Sequence, residues 1–265
     1  MLWLPLTPSL LRLFAFVGVL SLMFSLESIW PKREWKTPRW KRLSVHSVLS
    51  VLNTLLLRFT IATPLLLLTD LLEKRQWGLS HALGLNGWGE IVVTLILFDF
   101  FDYWWHRFNH TAPLLWRFHR VHHMDTHVDV TTALRFHAGE LLISGVVKMF
   151  WVLFWGPSIW GFAIFEAGIT GFSEFHHSNI DFPDEVEKVV RAVHMTPRVH
   201  ASHHTVSLRT RNANYSTIFS VWDRLFHSFQ EPNPQEMETI GLEEGRDNYL
   251  SFRKVLLAPF VNRAL

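Results

Sequence analysis

The sequence predicts an all-α, integral membrane protein with about four transmembrane helices in two hairpins. A helical cap on the cytoplasmic side is expected to hold a histidine-rich dinuclear metal site. Three observations carry this prediction. Hydrophobic residues make up 49% of the 265 and charged ones 18%, and the apolar residues gather in runs long enough to enter a bilayer. Lys and Arg flank those runs instead of forming a separate stripe, which fits membrane orientation and speaks against nucleic acid as a partner. Ten of the sixteen histidines fall into four short clusters beside the apolar runs. No domain boundary or internal fold repeat is evident, so residues 1–265 read as one membrane-embedded domain.

The first apolar run covers residues 10–30 and is broken only by Arg12 and Glu27. A signal peptide is the rival reading. No basic stretch precedes Arg12 and no clear small-residue cleavage site follows, so the run reads as a membrane helix. Lys32, Arg33, Lys36, Arg39, Lys41 and Arg42 come next, a strong cytoplasmic mark. The second run, 45–72, contains Arg58 and Pro64; it can cross with tilt or kink at the proline. Polar turn residues occupy 73–89. The third run, 91–105, is short for a span, so its helix must extend beyond the hydrocarbon at one end. It leads straight into His106.

Residues 140–175 form the last long apolar region. One helix of that length would measure about 54 Å against a hydrocarbon core of about 30 Å. Gly156-Pro157 near the middle predicts two helices and a turn. Lys148 and Glu166 lie inside, and a re-entrant hairpin fits the same pattern. Residues 181–191, with Pro183 and acids in the first turn, read as a short helix. From 205 the chain is mixed and polar, ending in a short apolar stretch at 249–261.

The sides follow from counting. With 31–42 cytoplasmic, the hairpin 45–105 returns the chain to the cytoplasm at His106, and the hairpin 140–175 returns it at His176. All four histidine clusters then share one face. Arg107, Arg117, Arg120, Arg135, Lys188, Arg191, Arg198, Arg209 and Arg211 lie on that side, and little beyond Lys74 and Arg75 on the other, in keeping with positive-inside bias.

The clusters are His106-Arg107-Phe108-Asn109-His110, His119-Arg120-Val121-His122-His123, His176-His177 and His200-Ala201-Ser202-His203-His204. Residues three and four apart share a helix face, so each cluster can aim two or three imidazoles at one point. Imidazole suits iron, zinc, copper and nickel. A zinc site takes about four ligands, and the clusters offer about twice that number. There is no cysteine, which leaves any metal to His and carboxylate and removes thiolate chemistry. H-E-x-x-H, the zinc-hydrolase pattern, is missing its Glu: Arg107, Phe108 and Asn109 fill the interval. No G-x-S-x-G, P-loop or dinucleotide fingerprint is present.

At 100° per residue, Asp99, His106 and His110 fall within about 40° of one another, and Asp102 about 60° to the side. Two readings stand for these acids: an ion pair with Arg107, or an acceptor that fixes the tautomer of a ligand imidazole. His46, His81 and His227 read as satisfied residues. His127 follows the second cluster in a loop. His137, three residues before Glu140, reads as a ligand or as an interfacial residue.

Together these motifs resemble the fatty acid hydroxylase/sterol desaturase superfamily of integral-membrane, non-haem di-iron enzymes. The resemblance runs over 98–229. It rests on 106–110, 116–123, the stretch Thr131-Thr132-Ala133-Leu134-Arg135-Phe136-His137 leading to Glu140, and His177-Ser178-Asn179-Ile180. It continues through 196–204, Asn214-Tyr215 and Trp222-Asp223-Arg224-Leu225-Phe226. It implies two iron ions held by His106, His110, His119, His122, His123, His177, His200, His203 and His204. His176 sits where relatives often carry another polar residue. Asn214 matches a position near the metals that could hold a water. Two departures are Ser216 and His227, each where the family usually has Gly.

The resemblance further implies O₂ as co-substrate and hydroxylation or desaturation of a C–H bond in a membrane lipid such as a sterol, fatty acyl or ether lipid. The cycle requires two electrons. No flavin, haem or iron–sulfur motif is present, so an external donor is expected: a reductase, ferredoxin or cytochrome b5-like carrier. The basic cytoplasmic face is the expected docking surface for an acidic carrier. A membrane metal-binding or metal-transport protein, or a zinc-dependent lipid hydrolase, are the competing readings. Transporters, however, place their ligands near the midplane, and these clusters lie just outside the apolar runs.

Overall fold

The computed structural model describes residues 7–246 and 249–261. Apart from two isolated β-bridges, its regular structure is helical. The long elements are α1 (Pro8–Ile29), α2 (Arg39–Leu57) and α3 (Thr63–Arg75). The short α4 (Leu79–Ala82) leads to α5 (Gly87–Thr111) and α6 (Pro113–His123). After a 3-10 turn at Val130–Leu134 come α7 (Ala138–Trp155) and α8 (Ile159–His177). Shorter helices follow: α9 (Asp184–Val193), α10 (Pro197–His203), α11 (Leu208–Arg211), α12 (Val221–Leu225), α13 (Pro234–Met237) and α14 (Phe252–Leu257).

Among the described residues, three stretches are long and apolar enough to cross a membrane: Pro8–Ile29, the 44-residue Arg39–Ala82, and Ala138–Trp155. These make the chain a multi-pass membrane protein. α5 and α8 complete the two predicted hairpins. They are 25 and 19 residues long but carry the buried carboxylates Glu90, Asp99, Glu166 and Glu174. Ahead of Pro64 the helix widens into a π-helical turn at Arg58–Ala62. Proline lacks the N–H that would close the ladder, and a widened turn absorbs the mismatch. Thr63 Oγ1 donates to the Arg58 carbonyl at 2.8 Å within that turn.

Packing sets the depth of each element. Leu65, Leu72, Phe98, Val152, Trp155, Phe162 and Phe165 form the main apolar core, and Phe98 meets Phe165 edge-on at 5.2 Å. At the end away from the histidines, the turn after α3 abuts the turn between α7 and α8. Gly78 and Gly156 both have positive φ, and a Cβ on Gly156 would lie 2.0 Å from the Trp77 carbonyl oxygen. Only glycine permits both the backbone angle and the approach.

At the other end, a buried polar node ties α2 to the loop between α6 and α7. Arg42 donates through Nε and Nη2 to Asp125 at 3.2 and 2.7 Å, and it also pairs with Asp129. Further donations reach the His127 carbonyl and Thr132 Oγ1. His46 belongs to this node, with Nδ1 on Thr131 Oγ1 at 2.8 Å and Nε2 3.2 Å from Asp125. Arg135 donates to the Val121 carbonyl at 2.8 Å, which fixes α6 from below. Glu27 near the end of α1 accepts from the backbone N–H of Val130 and Asn179, pinning the first helix to the same region.

Candidate metal centre

Each histidine cluster sits at the end of a helix that reaches the cap. α5 presents His106 and His110 on one face, α6 presents His119, His122 and His123, α8 ends on His176 and His177, and α10 presents His200, His203 and His204. The two H-x-x-H-H triplets do not each converge on one point, as spacing alone allows. Each is divided between two groups. His106, His110, His119, His123 and His203 form the first; His122, His177, His200 and His204 form the second. In each group the available nitrogens all lie within 4.8 Å of one another.

Helix geometry explains the division. Positions i and i+4 lie about 40° apart, whereas i+3 falls about 60° to the other side. His119 and His123 therefore go one way and His122 the other. α10 repeats the arrangement reversed: His200 and His204 enter the second group and His203 the first. The groups adjoin, with the rings of His123 and His204 stacked at 4.3 Å.

Hydrogen bonds set the tautomers. Nδ1 of His106 donates to the Tyr215 carbonyl at 2.7 Å, that of His203 to the Ala213 carbonyl at 2.6 Å, and that of His177 to the Ser173 carbonyl at 2.6 Å. Nδ1 of His122 donates to the Arg135 carbonyl at 3.2 Å, and that of His119 to Glu140 Oε1 at 2.7 Å. In each case Nε2 is left with a lone pair directed into the group.

Those lone pairs test whether a metal fits. His122 Nε2 and His177 Nε2 are 3.0 Å apart, although both rings carry their proton on Nδ1. Two facing lone pairs repel unless a cation lies between them. Nitrogens held about 2.0–2.1 Å from one metal stand roughly 3.0–3.4 Å apart, which matches the 3.0 Å and 3.1 Å separations of His177–His200 and His200–His204. In the first group Nε2 of His119 and His203, and both nitrogens of His110 and His123, are buried with no hydrogen-bond partner among the described residues. Burial, then repulsion from neighbouring imidazoles, holds His122, His123, His200 and His204 well below the ordinary imidazole range. They are neutral, as metal ligands must be. The donor set fits two metal ions.

Aromatic rings wall the groups. Phe136 stacks on His122 at 4.4 Å, Trp116 packs against His110 and His123, and Tyr215 lies against His110 and His203.

Other candidates from the sequence land elsewhere. Asp99 and Asp102 neither pair with Arg107 nor orient an imidazole. Asp99 accepts from the N–H of Ile218 and Phe219 and from Trp222 Nε1, and Asp102 accepts from Thr217 Oγ1. Asp99 is about 10 Å along the helix from His106, too far for its short side chain. His137 lies outside both groups and caps α7: Nδ1 accepts from Gly139 N, and Nε2 donates to the Leu256 carbonyl.

His176 is also outside both groups. It is buried beside His200, with ring centroids 3.9 Å apart, and its Nδ1 is 3.3 Å from the Thr217 carbonyl. Asn214 is occupied by protein: Nδ2 donates to Ser202 Oγ and the Gln230 carbonyl, and Oδ1 accepts from Gln230 N. It shapes the backbone, with φ of 57°, and so does His227, with φ of 56°. The left-handed angle at His227 accounts for the glycine usual there.

Glu140, part of the family resemblance but given no role by it, is the acceptor that orients His119. It was visible three residues after His137, but nothing in the spacing connects it to His119.

Several cations of the basic face are paired within the chain. Arg191, Arg198, Arg209 and Lys188 pair with Glu231, Asp181 and Asp184, Glu236 and Glu185 respectively. Arg120 and Arg135 are buried.

Fold and site together define a helical membrane protein with two adjoining polyhistidine groups suited to metal. Residues 91–228, just over half of the chain, match the fatty acid hydroxylase family, and the chain belongs to it. Ornithine lipid hydroxylase OlsE of Rhizobium tropici is 26% identical over 183 residues, 69% of this chain and 52% of the relative. Alkylglycerol monooxygenase of Homo sapiens is 26% identical over 135 residues, 51% of this chain and 29% of the relative. Very-long-chain aldehyde decarbonylase GL1-8 of Oryza sativa subsp. indica is 27% identical over 220 residues, 80% of this chain and 79% of the relative. The chain thus spans about half the length of the first of these relatives and less of the second. No solved structure matches.

Proposed function

We propose that this protein is an O₂-dependent di-iron oxidoreductase that hydroxylates or desaturates a C–H bond of a membrane lipid. His106, His110, His119, His123 and His203 hold one iron; His122, His177, His200 and His204 hold the other. The observation that carries the reading is two buried imidazole groups in which unprotonated nitrogens face one another, as Nε2 of His122 and His177 do at 3.0 Å. When bound, the irons supply the redox chemistry with O₂ that side chains lack. The chain's part is to present nine oriented nitrogens. Backbone carbonyls and Glu140 hold five of the rings, and Phe136, Trp116 and Tyr215 exclude water around them.

The lipid is a sterol, fatty acyl or ether lipid. The names of the first two relatives, a lipid hydroxylase and an alkylglycerol monooxygenase, support this class. The two electrons come from an external carrier on the cytoplasmic side, where hairpin parity and the basic segment 31–42 put the histidines. Purified protein should contain about two iron per chain and consume O₂ only when lipid and a reductant are both supplied. Comparing the lipids of cells with and without the chain identifies the product. Iron-loaded protein that consumes no O₂ with any of these lipids would sink the proposal.

A further inference from the structure

The segment 184–229 belongs to the cap, yet α9 and α12 each expose apolar side chains. The one buried residue of α9 is Glu187, whose Oε1 accepts from Thr196 Oγ1 at 2.6 Å. Val186, Val189 and Val193 are instead 46%, 70% and 52% exposed. With Val190 they fall within an arc of about 100° at 100° per residue. Glu185 and Lys188, paired at 2.8 Å, occupy the other exposed flank. On α12, Val221 and Leu225 are also exposed, at 46% and 58%. Exposed apolar residues gathered on one face in this way mark contact with protein or membrane.

The tertiary contacts show where the strip lies. The loop before α12 hangs from Asp99, which accepts from Ile218 N and Phe219 N at 3.1 Å each and from Trp222 Nε1 at 2.7 Å. The Trp222 ring packs on Phe100 at 5.2 Å. The next residue, Phe101, contacts Trp151 at 5.4 Å and Phe154 at 6.3 Å. Both belong to α7, one of the helices able to cross a membrane. At the far end of α9, His194 stacks on Phe172 of α8 at 4.9 Å. The base of this segment therefore packs against α5 and α8, next to the rings that meet α7.

We propose that α9 and α12 are embedded in the cytoplasmic leaflet and lie at the boundary between headgroups and acyl chains. Val186, Val189, Val193, Val221 and Leu225 contact lipid, and Glu185 and Lys188 face water. Lipid is the occupant because the segment is anchored on α5 through Trp222 and Phe100, beside rings that meet the crossing helix α7, and an in-plane helix with one apolar and one charged flank matches the boundary of a leaflet.

The chain has no cysteine, so single cysteines report cleanly. Val189→Cys, Leu225→Cys and Lys188→Cys variants are labelled with bimane and reconstituted in phosphatidylcholine vesicles containing doxyl-labelled phosphatidylcholine. Labels at 189 and 225 should lose most of their emission to the doxyl lipid and little to aqueous iodide, and the label at 188 should do the reverse. The proposal is overturned if 189 and 225 respond to iodide as 188 does. It is equally overturned if they are shielded from both quenchers, with shielding that rises with protein density, because a second copy would then cover the strip.

Discussion

Around Arg42 the buried polar groups answer one another. Arg42 pairs with Asp125 and Asp129, His46 lies between Asp125 and Arg135, and Thr131 bonds both His46 and Asp129. Around the nine histidines they do not: nitrogens sit buried with lone pairs facing lone pairs. The two regions touch, since the Arg135 carbonyl holds His122 while its guanidinium holds Val121 and the Tyr249 carbonyl. A satisfied buried network stabilises its surroundings, and losing one member leaves a charge unpaired. An unsatisfied one requires a ligand, and losing one member costs the ligand more than the fold. Both regions contain buried histidine, so satisfaction of the ring nitrogens separates the roles where residue type does not.

Substitutions can break that distinction. The largest effect is expected at the ligands. His203→Ala and His122→Ala should each abolish lipid oxidation and lower iron to about half, by loss from one group, while thermal unfolding in detergent stays cooperative. Full activity and metal in either variant would overturn the assignment. Next is Arg42→Ala, which strands Asp125 and Asp129 and should cost about 3–5 kcal/mol of stability, read as a large fall in melting temperature or in yield of folded protein. Glu140→Ala removes the acceptor of His119 and should lower iron affinity or turnover about 10–100-fold. Glu140→Gln, which keeps an acceptor oxygen, should recover part of it.

Smaller effects sharpen the contrast. His46→Ala should leave iron content unchanged and cost about 1–3 kcal/mol from the bonds it abandons; loss of iron would move His46 to the other region. The last test uses pH. Burial alone would raise the Asp125 carboxyl, but Arg42 and then His46 hold it well below its ordinary value of 3.8. A depressed carboxylate stabilises the fold above its unfolded pKa, and that stability is lost as pH falls through the folded one. The melting-temperature gap between wild type and Asp125→Asn should therefore be constant from neutral pH down to about 4 and narrow below it. A gap that closes at pH 6 would place its origin elsewhere.

Local pattern was enough for much of this molecule. Runs of apolar residues and the basic segment after the first run are read residue by residue, and they carry the all-helical membrane class. The histidine spacing is equally local, because i, i+3 and i+4 geometry is a property of one helix. The nine histidines that the family resemblance implies as ligands are the nine gathered in the two groups. Other features depend on residues far apart in the chain. The division of each triplet between two groups requires α6 and α10 to face each other. Glu140 reaches His119 only because α7 packs beside α6, and Asp99 serves a loop more than a hundred residues away. The apolar strip on α9 could be read from its valines, but the direction it faces could not. A sequence encodes which side chains share a helix face. Which face meets which, and so which lone pairs stay unanswered, is decided only when the helices pack.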